Sequence, residues 1–172
     1  MSSSAILRCV AVWLALGAAM LLAGCGFELR HSPTYAFRTL FSTAPLNSPL
    51  GIQLSRGLQS SGQVEVITDA RQIERAQVIF DPLAEVREKV VVGRTSSGAI
   101  REFQLRLRYR FRLRTQEGKE LIPETEIQLN RDINFNETGA LFKESEEGLL
   151  YRDMENDLVQ QIQRRLATLR QL

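Results

Sequence analysis

Phe103, Leu105, Leu107, Tyr109, Phe111 and Leu113 alternate without a break with Gln104, Arg106, Arg108, Arg110, Arg112 and Arg114. Successive side chains of a strand point to opposite faces, so this period of two predicts a long strand with one apolar and one charged face. Two neighbouring runs share the pattern. Val78, Phe80, Pro82, Ala84, Val86, Val90 and Val92 fall on one parity, as do Leu121, Thr125, Ile127, Leu129, Ile133 and Phe135. Three such runs in succession predict a half-buried antiparallel meander. Pro82, which has no N–H for a ladder, marks a bulge or edge position. Ser97-Gly98 as a two-residue turn pairs Val92 with Phe103 and Val86 with Tyr109, while Gln116-Glu117-Gly118 as a three-residue loop pairs Leu121 with Leu113 and Ile127 with Leu107. A slip of one residue would turn either apolar set to water.

On both sides of the meander the period becomes helical. Ser48-Pro49 supplies a cap and a first-turn proline, Leu50, Leu54 and Leu58 follow at spacing four, and Gly62 is a stop. Tyr151, Met154, Leu158, Ile162, Leu166 and Leu169 form one stripe of a closing helix that runs from about Thr138 to Leu169, with Gly148 as its weak point. Acids cluster early (Glu137, Glu144, Glu146, Glu147) and bases late (Arg164, Arg165, Arg170), as the helix dipole favours. Tyr35 to Ser42 reads as a first strand or extended segment, and Val64 to Ile67 as a brief extended run. The expected fold class is α+β: a two-layer sandwich with two helices packed on one face of a mostly antiparallel four-stranded sheet.

The first residues carry a different message. Arg8 precedes an apolar core, Cys9 to Leu22, too short to span a bilayer, and Leu22-Ala23-Gly24-Cys25 closes it. This is the pattern of a lipobox, in which the Cys25 thiol receives diacylglycerol and the new amino terminus is acylated; the competing reading is an ordinary signal peptide with a chance cysteine. Each buried methylene contributes ~0.8 kcal/mol, so several chains on Cys25 would anchor the protein stably. Gly26 rather than an aspartate follows the cysteine, which points to the outer membrane. The expected division is 1–24 as a cleaved signal peptide, 25–33 as lipidated terminus and linker, and 34–172 as a single α+β domain.

The chain has 22 Lys and Arg against 20 Asp and Glu, so bulk charge selects no polyanionic partner, and the tether argues against nucleic acid. With Cys9 removed and Cys25 lipidated, the folded part has no thiol, and His31 is the sole histidine. No phosphate-binding loop, nucleophile motif or metal spacing is present in the sequence, so no catalytic residue, metal or cofactor is expected. Local charge is more informative. The stripe Arg106 to Arg114 is either an anion or partner surface or one side of a cross-strand ladder, since the hairpin register sets Arg114 opposite Glu120, Arg110 opposite Glu124 and Arg108 opposite Glu126. Arg94 and Arg101 meet at the first hairpin tip, either as a solvated tip or as a pair that an anion would relieve.

Taken in order, these features resemble the LptE family of lipopolysaccharide-assembly lipoproteins. The resemblance rests on the lipobox followed by Gly26, Phe27, Leu29 and Arg30, on the tract from Gly98 through Arg101-Glu102-Phe103-Gln104, and on Ala140-Leu141 with Lys143 and Glu146 ahead of the amphipathic helix. It implies an outer-membrane lipoprotein on the periplasmic side that plugs the lumen of the LptD β-barrel, helps assemble it and delivers lipopolysaccharide to the cell surface. It also implies lipopolysaccharide contacts at Arg94 and Lys143, with Arg101 as a helper. Lipid A carries phosphates beside acyl chains, which a basic tip beside apolar residues would suit. The alternatives are a free-standing periplasmic lipid-binding or transporter-accessory lipoprotein and, with no residue to support it, a lipid-anchored enzyme.

Overall fold

The computed structural model describes Trp13 and residues 33–45, 47–134 and 140–171, the side chains of 140–144 excepted. The expectations for 1–24, Cys25, His31, Phe135 and Glu137, and for the Lys143 side chain, lie outside the described residues.

Ser48 accepts from the Gly51 N–H at 3.2 Å and Pro49 opens helix α1, Pro49–Gln59, whose Leu50, Leu54 and Leu58 are buried. This helix connects two short strands, β1 (Thr39–Ser42) and β2 (Glu65–Ile67). The two pair in parallel, as a helical crossover requires. A 3-10 turn, Ala70–Arg75, capped by Asp69, leads to the meander β3 (Val78–Arg94), β4 (Ile100–Arg114) and β5 (Glu120–Asn134). Helix α2, Ala140–Ala167, closes the chain and runs through Gly148 without interruption.

The sheet order is β2-β1-β3-β4-β5. It therefore has five strands rather than four and is mixed rather than mostly antiparallel: β1 lies parallel to both β2 and β3, and the meander is antiparallel. The extra strand is the brief run after Val64. Three residues were too few to show a period, and only pairing with β1 makes them a strand.

Both helices cover one face. Leu54, Leu58, Phe80, Leu105, Leu107, Phe111, Met154, Leu158, Ile162 and Leu166 form its core, with the rings of Phe80 and Phe111 stacked at 5.3 Å. Among the described residues the opposite face is covered at its base, where Phe41, Ile67, Ala76 and Ile79 pack with Ile73 of the 3-10 turn. Gln116 ties the second hairpin loop to that turn by donating to the Ile73 and Glu74 carbonyls at 3.1 and 3.0 Å.

Two register expectations are corrected. The first hairpin closes with Thr95 against Ala99 (N–H to carbonyl, 2.8 Å), which leaves a three-residue loop with Gly98 at φ 87°. The two-residue turn is thus lengthened by one, and Val91, not Val92, faces Phe103. A bulge between Pro82 and Ala84 keeps the base of β3 in step, with Phe80 opposite Leu113, but exchanges the faces beyond it. Glu85, Arg87 and Lys89 now face the helices opposite Tyr109, Leu107 and Leu105, while Val86 lies opposite Arg108 and Val90 opposite Gln104 on the outer face. In the second hairpin the loop is as expected, with Gly118 at φ 91° and Thr115 bonded to Lys119. Two irregularities around Pro123 then move the register by two residues, so Ile127 faces Tyr109 and Ile122 replaces Leu121 opposite Leu113. Two single shifts restore parity, and Ile127 and Ile133 stay buried.

Candidate functional site

The first hairpin tip is an ordered turn. Thr95 Oγ1 accepts from the Ala99 N–H at 3.1 Å and lies 2.8 Å from Ser97 Oγ. Arg94 donates through Nη1 to the Gly98 carbonyl at 3.0 Å, so one of its five N–H groups is used within the turn and its side chain is held at the tip. Arg101 lies between the pairs Gly93–Glu102 and Arg94–Ile100, as an extra residue on β4. Both arginines are exposed. The tip thus brings together two of the three residues expected at a lipopolysaccharide contact. Lys143 is in the first turn of α2. Glu147, one turn later, bonds Lys89 at 2.7 Å, which sets position 143 about 6 Å further along the helix axis.

The arginine stripe resolves largely into a ladder. Arg114 and Arg112 converge on Asp81 at 2.7 and 3.1 Å, Arg110 reaches Glu124 at 2.8 Å and Arg108 reaches Glu88 at 2.8 Å. The expected Arg110–Glu124 pair forms diagonally, because Glu126 is directly opposite. Arg108 faces Gln128 rather than Glu126 and turns to β3 instead, and Arg114, although opposite Glu120, binds Asp81. Arg106 donates to Gln104 at 2.8 Å rather than to an acid. Burial would raise the Asp81 carboxyl, but its hydrogen bonds from Arg114 and Arg112 outweigh that and hold it below the usual carboxylate range.

A second polar cluster, on the helix-facing side, was missed. Arg87 bridges Glu85 at 2.8 Å and the buried Glu155 of α2 at 2.7 Å, with its guanidinium 5.5 Å from the Tyr151 ring centre. The Lys89 ammonium lies 4.6 Å from the Phe103 ring centre, and the Tyr151 hydroxyl donates to the Glu88 carbonyl at 3.0 Å. Burial raises the Glu155 carboxyl above its ordinary range and Arg87 offsets only part of this. These residues lace the outer half of the hairpin to α2. The one signal that could have found them was Pro82, since a bulge there puts Glu85, Arg87 and Lys89 on the helix side.

Among the described residues, apolar side chains line several open grooves. One of 430 Å³ lies between the start of β3 and the entry to α1, lined by Pro45, Pro49, Pro82, Leu83 and Tyr109 among others, and one of 160 Å³ lies beside Ile52. Among the described residues no three His, Cys, Asp or Glu side chains converge as a metal site, and no helix is long and apolar enough to cross a membrane.

Known proteins place this chain clearly. The family model for LptE, described as lipopolysaccharide-assembly, matches residues 34–166. The solution structure of an uncharacterized lipoprotein B from Nitrosomonas europaea is 33% identical, with 83% of this chain and 90% of that one covered at a TM-score of 0.71. A minor lipoprotein from Acinetobacter baumannii (16% identity, 78% and 94% covered, TM-score 0.63) and the rare lipoprotein B from Shewanella oneidensis (18%, 76% and 95%, TM-score 0.62) share the fold. No curated protein matches the chain. The chain belongs to the LptE family of lipopolysaccharide-assembly lipoproteins, accessory proteins of lipopolysaccharide transport that are not enzymes.

Proposed function

We propose that this protein is anchored in the outer membrane through acylated Cys25, plugs and helps assemble an LptD-like β-barrel, and contacts lipopolysaccharide through Arg94, Arg101 and Lys143. The observation that carries the reading is the family match over 34–166 together with the basic tip of the first hairpin. Phosphate is bound well by an arginine fork that is already ordered, and the turn that holds Arg94 supplies that order. A free-standing lipid carrier needs an enclosed apolar chamber, and the two grooves described above are open.

The test is to purify the tagged lipoprotein from detergent-solubilised outer membranes, as the native chain and as Arg94→Glu/Lys143→Glu. A stoichiometric large β-barrel accompanies both forms, and lipopolysaccharide affinity falls at least tenfold in the variant, about the loss of one charge-assisted hydrogen bond. Recovery of the lipoprotein without a barrel refutes the plug. Unchanged lipopolysaccharide affinity refutes the assignment of Arg94 and Lys143.

A further inference from the structure

The lacing between β3 and α2 runs in register toward the hairpin tip. Arg87 bonds Glu155 at 2.7 Å and Lys89 bonds Glu147 at 2.7 Å. Between these pairs the Arg87 guanidinium lies 5.5 Å from the Tyr151 ring centre, and the Tyr151 hydroxyl donates to the Glu88 carbonyl. Glu147, Tyr151 and Glu155 recur at spacing four, so one stripe of the helix carries all three.

The two ion pairs have different surroundings. From Leu150 onward the helix also packs apolar side chains on the core, Leu150, Tyr151, Met154 and Leu158 first. Ahead of Leu150, Ser145, Glu146, Gly148 and Leu149 are exposed, and a Cβ at Gly148 would meet nothing. Glycine also weakens a helix interior, so this stretch is easily displaced unless something pins it. Among the described residues Lys89–Glu147 is the ion pair nearest the start of α2. Lys89 is a firm post for it, because its ammonium also rests 4.6 Å from the Phe103 ring centre. Lys143 stands one turn before Glu147, about 6 Å along the helix axis. Arg94 stands five residues beyond Lys89, roughly 16 Å along the strand. The pair therefore sets the spacing between a cation on the helix and a cation at the tip.

We propose that Lys89 and Glu147 are positioning residues of the lipopolysaccharide contact: their ion pair holds the first turns of α2 against the hairpin, at the spacing where Lys143 and Arg94 reach phosphates of one lipid. The inference rests on the lipopolysaccharide reading above and goes beyond it by assigning the geometry of the contact to a pair that acts through Lys143 and Arg94. Two cations already fixed at one spacing bind a ligand with more than one phosphate at a smaller cost in freedom than two that must first be brought together. The pair is partly exposed, 40% at Lys89 and 27% at Glu147, so its loss weakens binding by about three- to fivefold rather than abolishing it.

The test measures the affinity of the full chain in detergent micelles for purified lipopolysaccharide, as the native protein, as Glu147→Lys and as Lys89→Glu/Glu147→Lys, with circular dichroism melts to establish that each folds. Charge alone and position predict opposite orders. By charge alone, Glu147→Lys replaces an anion with a cation beside the tip and binds the phosphates more tightly than the native chain or the exchanged pair. By position, Glu147→Lys sets two ammonium groups against each other and binds about three- to fivefold more weakly, and the exchanged pair returns to within about twofold of the native chain. Affinity unchanged or raised in Glu147→Lys overturns the proposal, as does an exchanged pair that binds no better than Glu147→Lys. A Glu147→Lys protein that does not fold overturns it too, because the pair is then structural. Arg94→Glu/Lys143→Glu separates the two layers of the argument. A loss there without one in Glu147→Lys removes the positioning role alone, whereas no loss there removes the lipopolysaccharide reading and the proposal with it.

Discussion

Asp81 stands where β1 ends and the long hairpins leave the body of the sheet, and removing its charge tests whether the arginine face is structural. Its side chain accepts from Arg114 Nε at 2.7 Å, from Arg112 Nε at 3.1 Å and from Thr43 Oγ1 at 3.3 Å, and the residue is only 7% exposed. Asp81→Asn keeps the shape and one oxygen that can still accept from the two arginines, but it removes the carboxylate charge from both bonds. Hydrogen bonds to charged groups contribute about 1.5–3 kcal/mol each. The two arginine side chains are 40% and 27% exposed and regain water, so the full sum does not apply. A net loss of about 2–3 kcal/mol follows, or roughly 5–10 °C in the melting temperature of a domain of this length.

The same residue fixes a dependence on pH. The folded carboxyl lies below the ordinary aspartate value because Arg114 and Arg112 overcome the effect of burial. Between the two values the unfolded chain binds more protons, so the contribution is fully present above about pH 4 and is lost as the pH falls through the depressed folded value. Thermal melts followed by circular dichroism from pH 7 to pH 2 should therefore show native and Asp81→Asn proteins well separated at neutral pH and converging in acid. A shift under 2 °C at pH 7, or curves that run parallel into acid, would refute the reasoning and return Arg112 and Arg114 to the pool of contact residues.

Two further perturbations follow from the packing. Arg87→Met strands the buried Glu155 carboxylate; because Arg87 is itself 39% exposed, the loss is about 2–3 kcal/mol rather than the ~3–5 of a fully buried pair. Glu155 has a raised folded value, so its protonated form is favoured: the defect is largest at pH 8, shrinks as the pH falls below the folded value, and is largely removed by adding Glu155→Leu, all readable in urea melts. At Gly57 of α1 a Cβ would meet Gln163 Nε2 of α2 at 2.1 Å, the end of a flexible side chain. Gly57→Ala therefore changes stability by less than about 1 kcal/mol, helix propensity offsetting the displaced glutamine, whereas Gly57→Leu forces the helices apart and costs about 1–3 kcal/mol in the same assay.

What could be read in the sequence was what a regular period encodes. The apolar face of β4, the stripe Met154 to Leu166 and the capped start at Ser48 each repeat a signal over several turns or pairs, and each is buried or bonded as its period requires. Strand β2 carries three residues and no period of its own, so the fifth strand was invisible until β1 supplied its partner. Inserted residues were the other gap. A period of two states which residues share a face only until the next bulge, and nothing local in Leu83 announces that it is the residue left over.

The two long hairpins show why such an insertion matters in one place and not in another. Around Pro123 the insertions come as a pair, parity is restored, and the apolar set of β5 remains inward with its members merely re-paired. At Leu83 there is one, and its consequence runs the length of the strand: the valines expected in the core lie outside, and Glu85, Arg87 and Lys89 lie against α2. The tip escapes this logic. Arg94 and Arg101 flank a single short loop, so either register brings them together, which is why a pair of charges beside a turn could be found from the period while the buried lacing behind it could be reached only through the bulge that Pro82 signals. The same single bulge thus accounts for both features that the period concealed, the ionic contact between hairpin and helix and the row of valines on the outer face of β3.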